Sequence, residues 1–110
     1  NIINNYLNIK TSMVTSSSID IDHSLKSQDK VIAICKSRGA TVYINAIGGV
    51  NLYSKEEFKS HNIDLNFIKS NPIVYKQFNN EFIPWLSIID VMMFNSKETI
   101  QDYINSYTLV

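Results

Sequence analysis

Apolar and polar positions alternate between two periods along this chain, and the changes of period mark its elements. Ile9-Lys-Thr-Ser-Met-Val-Thr15 reads as a first strand ending in Ser16-Ser17-Ser18. Leu25, Val31, Ile32, Ile34 and Cys35 then recur with helical spacing, predicting a helix from Leu25 to Arg38. Lys36 and Arg38 suit its last turn, and Gly39 suits a left-handed C-terminal cap. Ala40 to Ala46 is β-branched and aromatic, a second strand that runs into Ile47-Gly48-Gly49. Ser54 and Glu57 predict a capping box opening a helix from Lys55 to His61. Ile63-Asp-Leu-Asn-Phe-Ile68 alternates cleanly, as a half-buried strand does, and is expected at a sheet edge.

After Asn71-Pro72 the pattern breaks. Tyr75 to Trp85 fits no period and is expected to be an irregular, aromatic-rich connection. Ser87 can cap a helix from Ile88 to Phe94, with Asp90 in its first turn, where the helix dipole favours a carboxylate. Ser96 can cap another from Lys97 to about Tyr107, its apolar face carrying Ile100, Tyr103, Ile104 and Tyr107. The first residues, Asn1 to Leu7, look like the end of an amphipathic helix. The order strand-helix-strand-helix-strand calls for parallel pairing through right-handed crossovers. The expected fold class is therefore α/β: a three-layer, Rossmann-like βαβαβ arrangement with a small parallel sheet and two C-terminal helices. Three strands make a small sheet, so a larger one is expected in the intact protein.

Composition narrows the function. The chain has 110 residues, 45% hydrophobic and 18% charged, which is one globular domain's worth of chain and core. Ten basic residues balance ten acidic ones, so nucleic-acid binding lacks its usual electrostatic drive. No apolar run approaches the roughly 18 residues of a membrane span. A single cysteine allows no internal disulfide and fits a reducing compartment, by default the cytoplasm. The chain starts at Asn1 without a signal-peptide pattern, and we expect residues 1–110 to be a C-terminal domain or half-domain of a longer protein.

In open α/β sheets ligands gather at the carboxyl ends of strands. Ser16-Ser17-Ser18, Asn45 to Gly49 and Lys69-Ser70-Asn71 qualify. The serines could hold a phosphate or a carbonyl through hydroxyls and amides, or simply serve as turn and capping residues. Gly48-Gly49 lacks the spacing of a dinucleotide fingerprint or a P-loop; it reads either as a tight turn needing positive φ or as a place where bare backbone meets a ligand. Tyr53 follows this turn and is a candidate for chemistry. His23 and His61 have no partner at metal-ligand spacing, so no metal site is expected. Cys35 lies on an apolar helix face and reads as a core thiol. Asp90 sits among Ile88, Ile89, Val91 and Met92. Its plain reading is a first-turn carboxylate satisfied by helix amides; a functional one requires it to face a cleft shared with Tyr75, Gln77 and Trp85.

Four segments taken in order, Ile34 to Ile44, Gly48-Gly49-Val-Asn-Leu-Tyr53, Tyr75-Lys-Gln-Phe78 and Phe82 to Val91, resemble the WbqC-like family. These are bacterial proteins often encoded in gene clusters for O-antigen and other surface polysaccharides. Members are longer and carry a His-Pro-x-Tyr-Phe-Pro-like motif in an N-terminal part that has no counterpart here, which accords with the fragment reading. The resemblance implies a cytoplasmic protein in the making of modified sugars or the glycan that carries them. Family-pattern positions carried onto this chain include Ser16, Ser17, Tyr43, Gly48, Tyr53, Tyr75, Gln77, Phe82, Ser87 and Asp90. Asn45-Ala46-Ile47 stands where members often have Ser-Gly.

Together these readings predict part of a transferase acting on a nucleotide-activated sugar or a small acyl or aminoacyl group. Asp90 and Tyr53 are the expected catalytic residues. Ser16, Ser17, Asn45, Gly48, Gly49, Tyr75, Gln77 and Ser87 are the expected substrate contacts. The cofactor is left open. The expected partners are a small-molecule substrate and the N-terminal half of the same protein, with homo-oligomerisation left open. The competing reading is a non-catalytic binding or scaffold module in a polysaccharide-assembly complex, anchored by Tyr75, Phe78, Phe82 and Trp85.

Overall fold

The computed structural model describes residues 2–110; Asn1, counted in the expected first helix, lies outside the described residues. The elements follow in the order α1 (Ile2–Tyr6), α2 (Ser27–Ser37), β1 (Val42–Ala46), α3 (Lys55–Ser60), β2 (Asp64–Ser70), α4 (Ile88–Phe94), α5 (Lys97–Ile104) and β3 (Tyr107–Leu109). Short 3-10 turns occupy Ser16–Ser18 and Ile47–Gly49. No helix among the described residues is long and apolar enough to cross a membrane.

The fold is mixed α/β with one three-stranded sheet in the order β1-β2-β3. β1 and β2 run parallel, with Tyr43 opposite Leu65 and Asn45 opposite Phe67, and α3 lies between them in the chain. The chain end returns antiparallel, since Phe67 and Val110 exchange both backbone hydrogen bonds (2.8 and 3.0 Å). Two expectations are corrected here. β2 is the central strand, not an edge; its alternation records one covered and one open sheet face, which a central antiparallel or mixed strand shows equally. Tyr107, expected on a helix face, begins β3, because α5 stops at Ile104.

The stretch from Ile9 to Thr15 is not a strand. Met13 and Val14 stay exposed there, so its few apolar side chains provide little burial to draw it into the sheet. The expected all-parallel βαβαβ order loses its first member, and the sheet is mixed.

By contact the chain divides into two compact units. The larger, Ser12–Lys69 with Leu109–Val110, holds the apolar core. Ile32 and Cys35 of α2, Phe58 of α3, Ile63, and Leu65 and Phe67 of β2 pack together, with Tyr43 and Tyr53 against them. Tyr43 stacks on Phe58 at 5.6 Å between ring centroids, and Tyr53 meets both edge-on at about 6 Å. Burial pushes the Cys35 thiol up from its ordinary value, as suits a core thiol and not a nucleophile.

Three helices in the chain end alike. Gly39 after α2, Asn62 after α3 and Asn8 after α1 all have positive φ (63°, 59° and 55°). In each case the next residue's N–H reaches back five positions: Ala40 to Cys35, Ile63 to Phe58, Ile9 to Asn4. At α2 and α3 this stop turns the chain directly toward a strand. The Ser54 cap is present, its hydroxyl accepting from the Glu57 N–H at 3.3 Å. Glu57's own carboxylate faces His61 Nε2 (3.3 Å).

The other unit, Ser70–Thr108 with the N-terminal residues as far as Thr11, contains α1, α4 and α5 and the irregular segment between β2 and α4. Leu7 and Ile100 are its fully buried apolar side chains, and Gln101 donates to the Leu7 carbonyl at 2.6 Å. Ser87 and Ser96 cap α4 and α5 as their positions predict.

Gly48-Gly49 forms its turn without positive φ at either residue, which corrects the reading of a left-handed turn. Gly49 is required for space instead: a Cβ there would lie 2.6 Å from Asn45 Nδ2 and 3.3 Å from the Tyr53 ring, whereas one at Gly48 would meet nothing. Gly49→Ala should therefore destabilise the protein by about 1–3 kcal/mol in urea unfolding. Gly48→Ala should be neutral or stabilising by up to about 1 kcal/mol.

Candidate active site

Gln77 is the buried polar side chain around which the irregular segment is organised, at 6% exposure. A buried amide must find partners for its oxygen and both its hydrogens. Its Oε1 accepts from the Ile83 N–H (2.8 Å), and its Nε2 donates to the Ile83 carbonyl (3.1 Å). This two-point pairing imitates a strand ladder and closes the loop from Phe78 to Phe82. Nε2 also donates to Asp90 Oδ2 at 2.9 Å.

Asp90 stands in the first turn of α4, whose start Ser87 fixes by accepting from the Ile89 N–H (3.1 Å). Its Oδ2 accepts a second, short hydrogen bond from the Tyr75 hydroxyl (2.5 Å). Its side-chain partners are thus Tyr75 and Gln77 and not the helix amides. The hydrogen bonds from Tyr75 and Gln77 to this carboxylate both fall on Oδ2. Burial first, then the Asp90 hydrogen bond and charge, push the Tyr75 phenol above its ordinary 10.0.

Aromatic rings hold Tyr75 in place. Phe82 meets it edge-on at 5.1 Å, and Phe94 and Tyr103 lie at 6.4 and 6.3 Å. Phe78 packs edge-on against Phe94 at 4.8 Å. The four aromatics expected as a surface group divide: Tyr75 and Phe82 are half-buried, while Phe78 and Trp85 are 74% and 73% exposed. Both exposed residues have a left-handed backbone, φ 53° and 58°. For bulky side chains that conformation costs about 1–3 kcal/mol each.

The larger unit brings a second set of candidates together. Asn45 closes over Gly49 and accepts the Ala46 N–H with Oδ1 (2.8 Å), and Tyr53 backs the same turn. The Tyr53 ring belongs to the core cluster with Tyr43 and Phe58. Gly48 is exposed at the tip. Ser16 and Ser17 are exposed in their own 3-10 turn. A shallow depression of about 860 Å³ in this unit is lined by Lys55, Lys59, Asp64 and neighbours, and none of the candidate residues lines it. No group of three or more His, Cys, Asp or Glu among the described residues could hold a metal.

Three contributors went unnoticed in the sequence. The Ile83 backbone, Phe94 and Tyr103 complete the network; for Phe94 the signal was its position one turn beyond Asp90, for Tyr103 its place on the apolar face of α5. Nothing in the sequence marked Ile83.

A family model described as the WbqC-like protein family matches residues 1–102. The chain belongs to the WbqC-like protein family. Searches of curated proteins and of solved structures give no significant match. In this WbqC-like chain the Tyr75–Gln77–Asp90 network lies wholly inside the matched region.

Asp90→Asn should bring the Tyr75 phenol down toward 10.0, since it removes the charge that opposes phenolate. Phenolate absorbance in an alkaline titration, with Tyr75→Phe as the blank, measures it. The sign for stability follows. Folding holds the Tyr75 proton above the unfolded value, so its contribution is intact below about pH 10 and is lost as pH rises through the folded value.

Proposed function

We propose that the Tyr75–Gln77–Asp90 network is the acceptor site of a transferase that acts on a nucleotide-activated sugar or a small acyl or aminoacyl group in a surface-polysaccharide pathway. The observation that carries this reading is the convergence of two donors on one oxygen of a single carboxylate. That arrangement fixes Asp90 and leaves Oδ1 for a hydroxyl or amine of the acceptor. As the acceptor oxygen or nitrogen bonds to the transferred group, the bond to the donor's leaving group breaks. Asp90 Oδ1 takes the acceptor's proton. Family membership supports the pathway. The donor's anionic part finds no cation among the partners of Asp90, so it would bind outside this network.

On this reading the protein works in the cytoplasm, joined to an N-terminal part of the same polypeptide. The outward position of β1, with Val42 and Ile44 about half exposed, supports a sheet that continues in the intact protein. The competing reading, a binding module without chemistry, draws on the exposure of Phe78 and Trp85.

Calorimetry of the intact protein against nucleotide sugars and activated acyl donors tests the proposal. Binding of one such donor, with transfer slowed about 10²–10⁴-fold in Asp90→Asn, is the expected outcome. Binding without any turnover would favour the module.

A further inference from the structure

Phe78 and Trp85 combine three properties that seldom coincide: they are bulky, exposed and held at positive φ. Glycine or asparagine would occupy either backbone position with less strain, and an exposed ring gains little burial to offset it. Both stand beside the network. Phe78 follows Gln77 directly and packs on Phe94, whose ring neighbours Tyr75. Trp85 lies midway between Ile83, tied to Gln77, and Ser87, which starts α4. Two residues of chain span at most about 7 Å, so Trp85 is held close to both anchors.

The chemistry of the surroundings restricts the ligand. Asp90 Oδ1 asks for a hydrogen-bond donor, and no cation is bonded to this carboxylate, which disfavours phosphate or carboxylate ligands. An exposed ring face favours a ligand with an apolar face of its own. A pyranose ring meets both requirements: its C–H face stacks on an aromatic ring and its hydroxyl edge donates to a carboxylate. We infer that Phe78 and Trp85 are stacking platforms that seat a neutral sugar ring with a hydroxyl on Asp90 Oδ1. The inference rests on the reading of Asp90 as an acceptor site and adds the class of acceptor.

Trp85 is the sole tryptophan of the chain, so its fluorescence reports directly on the proposed contact. The intact protein is titrated with neutral methyl glycosides, with glucose 1-phosphate and with tetramethylammonium, and Trp85→Phe supplies the fluorescence blank. The expected result is a saturable change in emission with a glycoside and a weaker response to the two charged probes. Trp85→Gly and Phe78→Gly, followed by calorimetry, should each weaken glycoside binding about tenfold. Trp85→Gly should leave the melting temperature unchanged or higher, and Trp85→Phe should restore most of the affinity.

The inference is overturned if no glycoside binds, if either charged probe binds best, or if the glycine variants bind like the parent. A large drop in melting temperature for Trp85→Gly would also overturn it, by showing a structural role. Asp90→Asn separates the two readings. Loss of binding in Asp90→Asn alone sustains the acceptor site and rejects the platforms. Loss in the glycine variants alone sustains the platforms and removes Asp90 from the site.

Discussion

A side-chain amide taken out of water must satisfy its oxygen and its hydrogens or destabilise the fold, and Gln77 does so entirely with protein atoms. The candidate site follows from that single constraint. Because Oε1 and Nε2 both engage Ile83, the loop between them is closed. Because Nε2 also reaches Asp90, the first turn of α4 is tied to a segment with no regular structure of its own. An unsatisfied buried amide costs about 1–3 kcal/mol, so breaking one bond of this set penalises the others. At 6% exposure Gln77 itself presents almost no surface.

Rigidity around the carboxylate is shared with aromatic packing. Tyr75 reaches Asp90 from among Phe82, Phe94 and Tyr103, which limit where its hydroxyl can point. The larger unit shows the same economy. There Gly49 exists to admit the Asn45 amide and the Tyr53 ring, so a glycine that looks like a conformational device is a spatial one. Tyr53 then serves the core through Phe58 as much as it serves the turn.

Much of the local structure was legible in the sequence because it depends on neighbours in the chain. The Ser54, Ser87 and Ser96 caps, the left-handed stop at Gly39 and the helix carrying Asp90 all rest on interactions within a few residues. Where a prediction needed a distant partner it could fail. Ile9 to Thr15 reads along the chain as a strand, yet a strand is defined by its ladder, and this one is not in the sheet. β3 is the converse: Tyr107 continues a helical pattern, but the pairing of Phe67 with Val110 draws Tyr107–Leu109 into the sheet.

The same division applies to function. The sequence alone determined the family, the helix bearing Asp90, and the residue types Tyr75 and Gln77 that could serve it. Only the tertiary structure decided that both donors meet on Oδ2, that Gln77 is spent on the Ile83 backbone, and that Phe78 and Trp85 stand exposed in a strained conformation while Tyr75 and Phe82 are drawn inward. The reason is physical. Periodicity and capping are local and show along a chain, whereas the partner of a buried polar group is chosen by which atoms folding brings within about 3 Å.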